Sequence, residues 1–325
     1  MLIATLPTLT GPDQERLSEK IIRHPLIGAV RYNTGGDSPY PPKKILETLK
    51  PIAEKYGKLL YVDLEGRQVR VASWSPQSRG AVNLNRDFAI ELPALIHFRR
   101  MGWFDVVNAV PEERKIFFKP RKTREECYLG ESQSVHIVAK NFEVRDVYLN
   151  GNDFDYINAA LELGINNFML SFFEAADDLV EFYEMYYSNG RYPRPPDPRI
   201  VLKIESQRGI EFLKNTPPSL FRECQLMAAR DDLFLSFFGK RAEFLNALKI
   251  IIAKDRNAIV ASRILSGLER HDEVTLGDMA DIKLMSLFGY KHFMFSDELA
   301  DCFDIAMQDW QEIIIPIMKE EENEE

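Results

Sequence analysis

Short apolar runs alternate with amphipathic helical stretches along most of this 325-residue chain, and the rhythm breaks once. LIATL (2–6), IGAVRYN (27–33) and KLLYVDL (58–64) read as strands, separated by helical spacing in DQERLSEKII and PPKKILETLKPIAEKYG. The second helix is opened by proline and closed by glycine, the usual asymmetry of helix ends. After the break the alternation resumes with strands NNFMLSF (166–172), RIVLKIE (199–205), QLMAAR (225–230), NAIVAS (257–262) and HFMFS (292–296). Helical segments lie around 153–164, 175–190, 207–214, 238–254, 276–288 and 299–318. Eight strand-helix units predict a closed α/β barrel of the (β/α)8 or TIM type. An open doubly wound sheet is the alternative. It would want a glycine-rich phosphate turn after the first strand. NTGGDSP (33–39) has a glycine pair without the G-x-G-x-x-G spacing and reads as a βα loop.

The interruption covers residues 71–150. Its pieces ALIHF, FDVVNAV, KIFFK, SVHIVAK and VRDVYL suit a small all-β domain inserted after the third strand. The expected organisation is a barrel from 1–70 and 151–319, an inserted β-rich lid at 71–150, and a solvated acidic tail at 320–325. The last helix, ADCFDIAMQDWQEIIIPIM, is apolar along one side and should pack on its own barrel.

Bulk properties exclude several classes. A net charge of −9 argues against a general nucleic-acid binder, which needs cationic surface. No apolar run reaches the roughly 18 residues of a membrane span. MLIATLPTLT lacks the basic start of a signal peptide. Cys127, Cys224 and Cys302 are scattered, which fits a reducing compartment and no disulfide framework. The expectation is a cytoplasmic enzyme. His24, His97, His136, His271 and His292 are dispersed, against a Ser-His-Asp hydrolase or a zinc site.

The phrase VLKIESQRG (201–209) is the most chemical stretch. Period-2 alternation points Lys203 and Glu205 to one face at a strand's C-terminal end, where ligands sit in parallel α/β proteins. Alone, the pair is equally well read as a structural salt bridge. The convergence of several polar strand ends at one rim is the stronger signal for a site. Other predicted strand ends carry Arg31 and Asn33, Asp63 with Arg70 beyond it, Ser171, the run Arg230-Asp231-Asp232, Ser262-Arg263, and Ser296-Asp297-Glu298. Glu205 and Asp232 are oxygen donors suited to Mg2+ or Mn2+. Arg31, Arg70 and Lys203 supply charge for phosphate or carboxylate. Ser262 can position a proton.

These motifs, in this order, resemble pyruvate kinase. AVRYNTGG resembles that family's R-x-N-F-S-H-G segment, and YVDLEGRQVR its D-T-K-G-P-E-I-R. NNFMLSFFEAADDL resembles the A-S-F-V-R segment, LKIESQRG the A-K-I-E-N-x-x-G segment, and MAARDDL the M-V-A-R-G-D-L-G segment. IVASRILSGL is similar to T-A-T-Q-M-L-x-S-M, and FMFSDELA to V-M-L-S-G-E-T-A. The resemblance runs from Ile3 to about Lys319 and implies phosphoryl transfer between phosphoenolpyruvate and ADP, giving pyruvate and ATP. By that resemblance Lys203 stabilises the enolate and the transferring phosphoryl group, and Glu205 and Asp232 bind the divalent cation. Arg31 and Arg70 contact phosphates. Ser262 stands where a threonine binds the substrate carboxylate and helps protonate the enol. Asn33 and Asp63 belong to a monovalent-cation site.

The departures from the family are specific. Gly35 and Leu64 replace a serine and a threonine, removing two potassium ligands and arguing against bound K+. Asp231 replaces a glycine whose backbone amide approaches the substrate carboxylate, so a side chain and a negative charge stand there instead. Gly36 stands in place of a histidine, and Glu174 in place of an arginine. RRMGW (99–103) occupies the place of the lid's D-D-G. The family's C-terminal regulatory domain has no counterpart here, so its sugar-phosphate control is not expected. Three readings follow: a minimal phosphotransferase, a 2-keto acid lyase or aldolase on the same metal-enolate platform, and a non-catalytic binding protein. A homo-oligomer is compatible with the barrel, although no sequence patch marks an interface.

Overall fold

The computed structural model describes residues 1–73, 80–99, 101–121, 130–188, 195–271 and 273–319. Cys127, Arg100 of the RRMGW segment, residues 189–194 and the acidic tail lie outside them.

In chain order the strands are β1 (Leu2–Thr5), β2 (Ile27–Asn33) and β3 (Leu59–Leu64). An inserted set follows: β4 (Val69–Ser73), β5 (Ala81–Leu84), β6 (Phe88–Ile90), β7 (Ala94–Phe98), β8 (Gly102–Val110), β9 (Lys115–Pro120), β10 (Ser134–Ala139) and β11 (Phe142–Val144). The main series resumes with β12 (Asn167–Leu170), β13 (Arg199–Ile204), β14 (Cys224–Ala229), β15 (Ile259–Ala261) and β16 (His292–Phe295).

β1, β2, β3 and β12 to β16 close into an eight-stranded parallel barrel in sequential order, with β1 hydrogen-bonded to both β2 and β16. The strands are short and nearly all apolar because both faces are buried. One face packs outward on the helices. The other fills the barrel axis with Ile3, Ala29, Tyr61, Met169, Val201, Met227, Ile259 and Met294. Two residues further along five of these strands, on the same inward face, stand Thr5, Arg31, Asp63, Ser171 and Lys203. Period-2 geometry thus stacks a polar layer directly on the apolar plug, at the end where β-strands hand over to helices.

β10, β4, β5, β9, β8 and β7 form a second closed barrel, antiparallel, with its own core of Val71, Val82, Leu84, Ile96, Phe98, Phe104 and Ile116. β6 and β11 make a separate two-stranded ribbon. The predicted strand VRDVYL is corrected: only its first residue, Val144, is extended in a ladder. The backbone N–H groups of Tyr148 and Leu149 instead donate to the Glu181 carboxylate, both at 2.8 Å, and Arg145 N–H donates to the Asp87 carbonyl. With its donors satisfied by a helix side chain, this segment has no ladder to join.

The final helical region packs on the barrel as expected, with Trp310 edge-on to Phe293 and Phe295 at 5.4 and 5.2 Å. Among the described residues no helix is long and apolar enough to cross a membrane.

Candidate active site

Lys203 stands at the centre of the polar layer and is 6 % exposed. Its Nζ donates to Ser171 Oγ at 2.8 Å and to Asp63 Oδ2 at 3.0 Å, and lies 3.4 Å from Glu205 Oε1. Ser171 Oγ donates on to Asp63 Oδ1 at 3.2 Å. Arg31 completes the cluster, its Nε donating to Asp63 Oδ2 at 2.7 Å and its other arm to Thr5 Oγ1 at 3.3 Å. Burial pushes the Asp63 carboxyl up, but Arg31 and Lys203 outweigh it and hold the group below its ordinary value. Asp63 is therefore the fixed anion that tethers both cations.

Glu205 is the opposite case. Burial raises it, and Asp232 and Asp63 raise it further against the lowering effect of Lys203, so that it titrates at about 7. Asp232 is raised as well, by burial first and then by Asp231. Two raised carboxyls at a barrel mouth, one of them lifted in part by the other, need a positive partner to ionise together. Glu205 Oε2 accepts the Phe172 N–H at 2.7 Å, which orients the carboxylate toward the mouth. Phe172 holds a left-handed φ of 50° to make that bond. This donor set fits a divalent cation through Glu205 and Asp232. Among the described residues no group of three or more His, Cys, Asp or Glu is gathered to hold a metal ion, so protein donors alone would be two at most.

The monovalent site is a different matter. Asn33 Oδ1 accepts the Gly35 N–H at 3.2 Å, and Asp63 faces two protein cations. A K+ placed there would meet their repulsion, so these residues do not fit it.

At the sixth and seventh strand ends, Arg230 grips the Asp281 carboxylate with one nitrogen at 2.7 and 2.8 Å and donates to the Ser262 carbonyl at 3.1 and 2.6 Å. Ser262, Arg263 and Leu265 all hold positive φ, of 66°, 59° and 55°. Non-glycine residues stay in that region only when their surroundings impose it, and the Arg230 fork does so here. Asp231 turns outward to Arg263, 2.5 Å from its Nε.

Arg70, expected at the phosphates, is spent elsewhere. It donates to the Ser132 carbonyl at 2.8 Å and to Gln68 Oε1 at 2.6 Å, and faces Glu65 at 3.4 Å. A Cβ on Gly35 would lie 1.9 Å from Arg70 Nη2. The glycine that replaces the family's serine is what lets Arg70 fold inward.

The inserted barrel brings residues that the sequence did not place at the site. His136 of β10 is 8 % exposed, with Nδ1 3.8 Å from Asp232 Oδ1. One of the five histidines dispersed in sequence thus lies beside the strand-end cluster. Burial, then His97 beside it, lowers its pKa to about 3, so the ring is neutral. Arg99, within the RRMGW segment, pairs with Glu298 at the eighth strand end. Trp103 packs on Phe238 at 4.4 Å. No local pattern announces these contacts, since each joins two barrels far apart in sequence. The alternation in SVHIVAK, which puts His136 on the strand face opposite the core residues Val135 and Ile137, was the one available signal.

No family model and no curated protein matches the chain. Solved structures do. The chain is similar to a pyruvate kinase from Cryptosporidium parvum with a TM-score of 0.71 and 16 % identity, covering 98 % of this chain and 70 % of that one. It is similar to the pyruvate kinase from Pyrobaculum aerophilum with a TM-score of 0.67 and 16 % identity, covering 94 % and 72 %. The parallel barrel, the antiparallel barrel set into it after the third strand, and the polar layer at their junction together make this a chain of the pyruvate kinase fold.

Proposed function

We propose that the chain is a pyruvate kinase-like phosphotransferase, moving the phosphoryl group of phosphoenolpyruvate to ADP. The observation that carries this is a buried ammonium, Lys203, 3.4 Å from Glu205 and on the same strand face, with Asp232 electrostatically joined to the pair. Phosphoryl transfer is mostly positioning and charge neutralisation. Lys203 supplies a fixed positive charge for the transferring group and for the enolate oxygen left behind. Asp63 and Ser171 hold the ammonium in place, so it loses little freedom when substrate arrives. Arg31, held through Nε and one Nη by Asp63 and through the other Nη by Thr5, supplies a fixed positive charge beside the site for phosphate. The strained Ser262 turn sets its hydroxyl at the seventh strand end for the substrate carboxylate. A divalent cation at Glu205 and Asp232 would neutralise those carboxylates and polarise the substrate.

A second reading, a lyase or aldolase acting on a 2-keto acid, is favoured by one observation: Arg70 is committed to Ser132, Gln68 and Glu65 rather than to a nucleotide site. Both readings share the enolate. Pyruvate formation from phosphoenolpyruvate, measured with and without ADP and Mg2+, separates them. ADP-dependent turnover supports the first. Loss of deuterium from the methyl group of labelled pyruvate without ADP turnover supports the second. Silence in both assays refutes both and leaves a non-catalytic binding protein.

A further inference from the structure

We propose that Tyr148, on the linker that leads out of the inserted barrel, is a positioning residue for Lys203 and Glu205, and that through it the seating of the inserted barrel sets the geometry of the reacting groups. The proposal rests on the reading of Lys203 as the charge that meets the transferring phosphoryl group, and adds what holds that charge in register.

One peptide group carries the link. The Tyr148 hydroxyl donates to the Ser171 carbonyl at 2.7 Å. The N–H of the same peptide group belongs to Phe172 and donates to Glu205 Oε2 at 2.7 Å. A peptide group is planar, so fixing its carbonyl direction also fixes where its N–H points. The residue that follows it, Phe172, sits at a φ of 50°, which its surroundings must impose. On the other side of the carbonyl, the Ser171 hydroxyl takes the Lys203 ammonium at 2.8 Å. Tyr148 thus acts on Glu205 through one N–H and on Lys203 through one hydroxyl. Filling space does not account for it, because phenylalanine would fill the same space. Among the described residues the hydroxyl of this tyrosine, 1 % exposed, is spent on the Ser171 carbonyl.

Tyr148 is itself held from both barrels. Its N–H donates to Glu181, on a helix of the parallel barrel, at 2.8 Å. Its carbonyl accepts from Arg86 at 3.2 Å. Arg86 follows β5 of the inserted barrel, is 3 % exposed, and also donates to the carbonyls of Val147 and Gly66. Gly66 lies on the linker into the inserted barrel, and a Cβ on it would lie 2.3 Å from the Ser171 carbonyl and 2.8 Å from the Tyr148 ring. Both linkers therefore meet at the Ser171 carbonyl, and one buried guanidinium ties them together. Turning the inserted barrel on its linkers would move Tyr148, and with it the peptide group that orients Glu205.

The test is Tyr148→Phe, which removes the hydroxyl and keeps the ring. Tyr290→Phe is the control. Its hydroxyl makes the same kind of buried bond, to the Leu248 carbonyl at 2.8 Å, just before β16 begins and so at the opposite end of the barrel. With phosphoenolpyruvate and ADP, kcat of Tyr148→Phe should fall about tenfold while KM for phosphoenolpyruvate changes less than about twofold, because orientation is lost and binding charge is not. Tyr290→Phe should keep both. In amide hydrogen exchange of the full chain, the Phe172 amide should exchange at least about tenfold faster in Tyr148→Phe, while Met169 of the same strand stays within about twofold. Should Tyr148→Phe fail to fold, Glu181→Gln loosens the backbone end of the same link, and the same two changes are expected in it. A kcat and a Phe172 exchange rate that match the Tyr290→Phe control overturn the proposal. A wild type without turnover overturns the phosphotransferase reading instead, and the Phe172 exchange rate then decides on Tyr148 by itself: unchanged exchange overturns its role.

Discussion

Lys203→Met is the most instructive perturbation because it changes charge and little else. Methionine keeps an unbranched stem of similar bulk in the same strand position. What is lost is one positive charge 3.0 Å from Asp63 and 3.4 Å from Glu205. At an effective dielectric constant of about 20, each contact is worth at most ~5.5 kcal/mol. Desolvation relief and the remaining Arg31–Asp63 pair offset part of this. Breaking a buried pair on one side leaves a net loss of about 3 kcal/mol. The pH dependence identifies the cause. Glu205 already titrates at about 7 in the folded protein, above its ordinary 4.5, so folding takes up a proton and stability falls as pH rises from 4.5 to 7. Above 7 that contribution is constant in the wild type. Lys203 is the group that pulls Glu205 down. Without it the folded-state value moves up, and the variant keeps losing stability above pH 7, at up to ~1.4 kcal/mol per pH unit. Urea unfolding of both proteins from pH 5 to 8.5 reads this directly. A stability difference that stays flat with pH would show that Lys203 does not balance these carboxylates. Turnover in the variant should fall by at least about a hundredfold, as when a preorganised charge is removed.

Three further outcomes follow from the same geometry. Mn2+ affinity, measured by calorimetry, should drop about tenfold per pH unit below 7, because Glu205 must release a proton to bind; affinity independent of pH between 5.5 and 7 would remove Glu205 from the site. Gly66→Ala should destabilise the fold by about 3 kcal/mol in denaturant titration, since Gly66 has φ +53° and a Cβ there would lie 2.3 Å from the Ser171 carbonyl. Gly35→Ser, which restores the family's side chain, should expel Arg70 from its inward position at a stability cost of about 1–2 kcal/mol, because a Cβ there would lie 1.9 Å from Arg70 Nη2 and 3.1 Å from Glu65 Oε1 and Arg70 would give up its bonds to Ser132 and Gln68; a crystal structure of the variant with Arg70 unmoved would contradict the steric account.

Legibility in the sequence followed the range of the interactions. The strands of the parallel barrel were readable because each is a local apolar run buried on both faces. IGAVRYN coincides with β2 residue for residue. The Lys203–Glu205 pair was readable because strand period alone aligns it. The strand assigned to VRDVYL failed because Glu181, more than thirty residues away, caps the backbone donors of Tyr148 and Leu149. Ser171 was visible as a polar strand end, but its bond to Lys203 depends on the register of β12 beside β13. Arg99 was not readable as a site residue, and for His136 strand alternation gave the face and not its destination, since the inserted barrel must first dock on the mouth to deliver both. The bond from Arg70 to Ser132 forms inside the inserted barrel, where β4 lies beside β10, more than sixty residues on in sequence. Sequence pattern shows which residues share a face of one element. It does not show which faces of two barrels meet.

The central claim is that Glu205 and Asp232 jointly hold a divalent cation beside the Lys203 ammonium. Anomalous scattering from crystals grown with Mn2+ tests it most directly. The account predicts a single strong peak about 2.1–2.3 Å from a carboxylate oxygen of each residue. A peak elsewhere, or crystals in which Mn2+ contacts neither carboxylate, would contradict it.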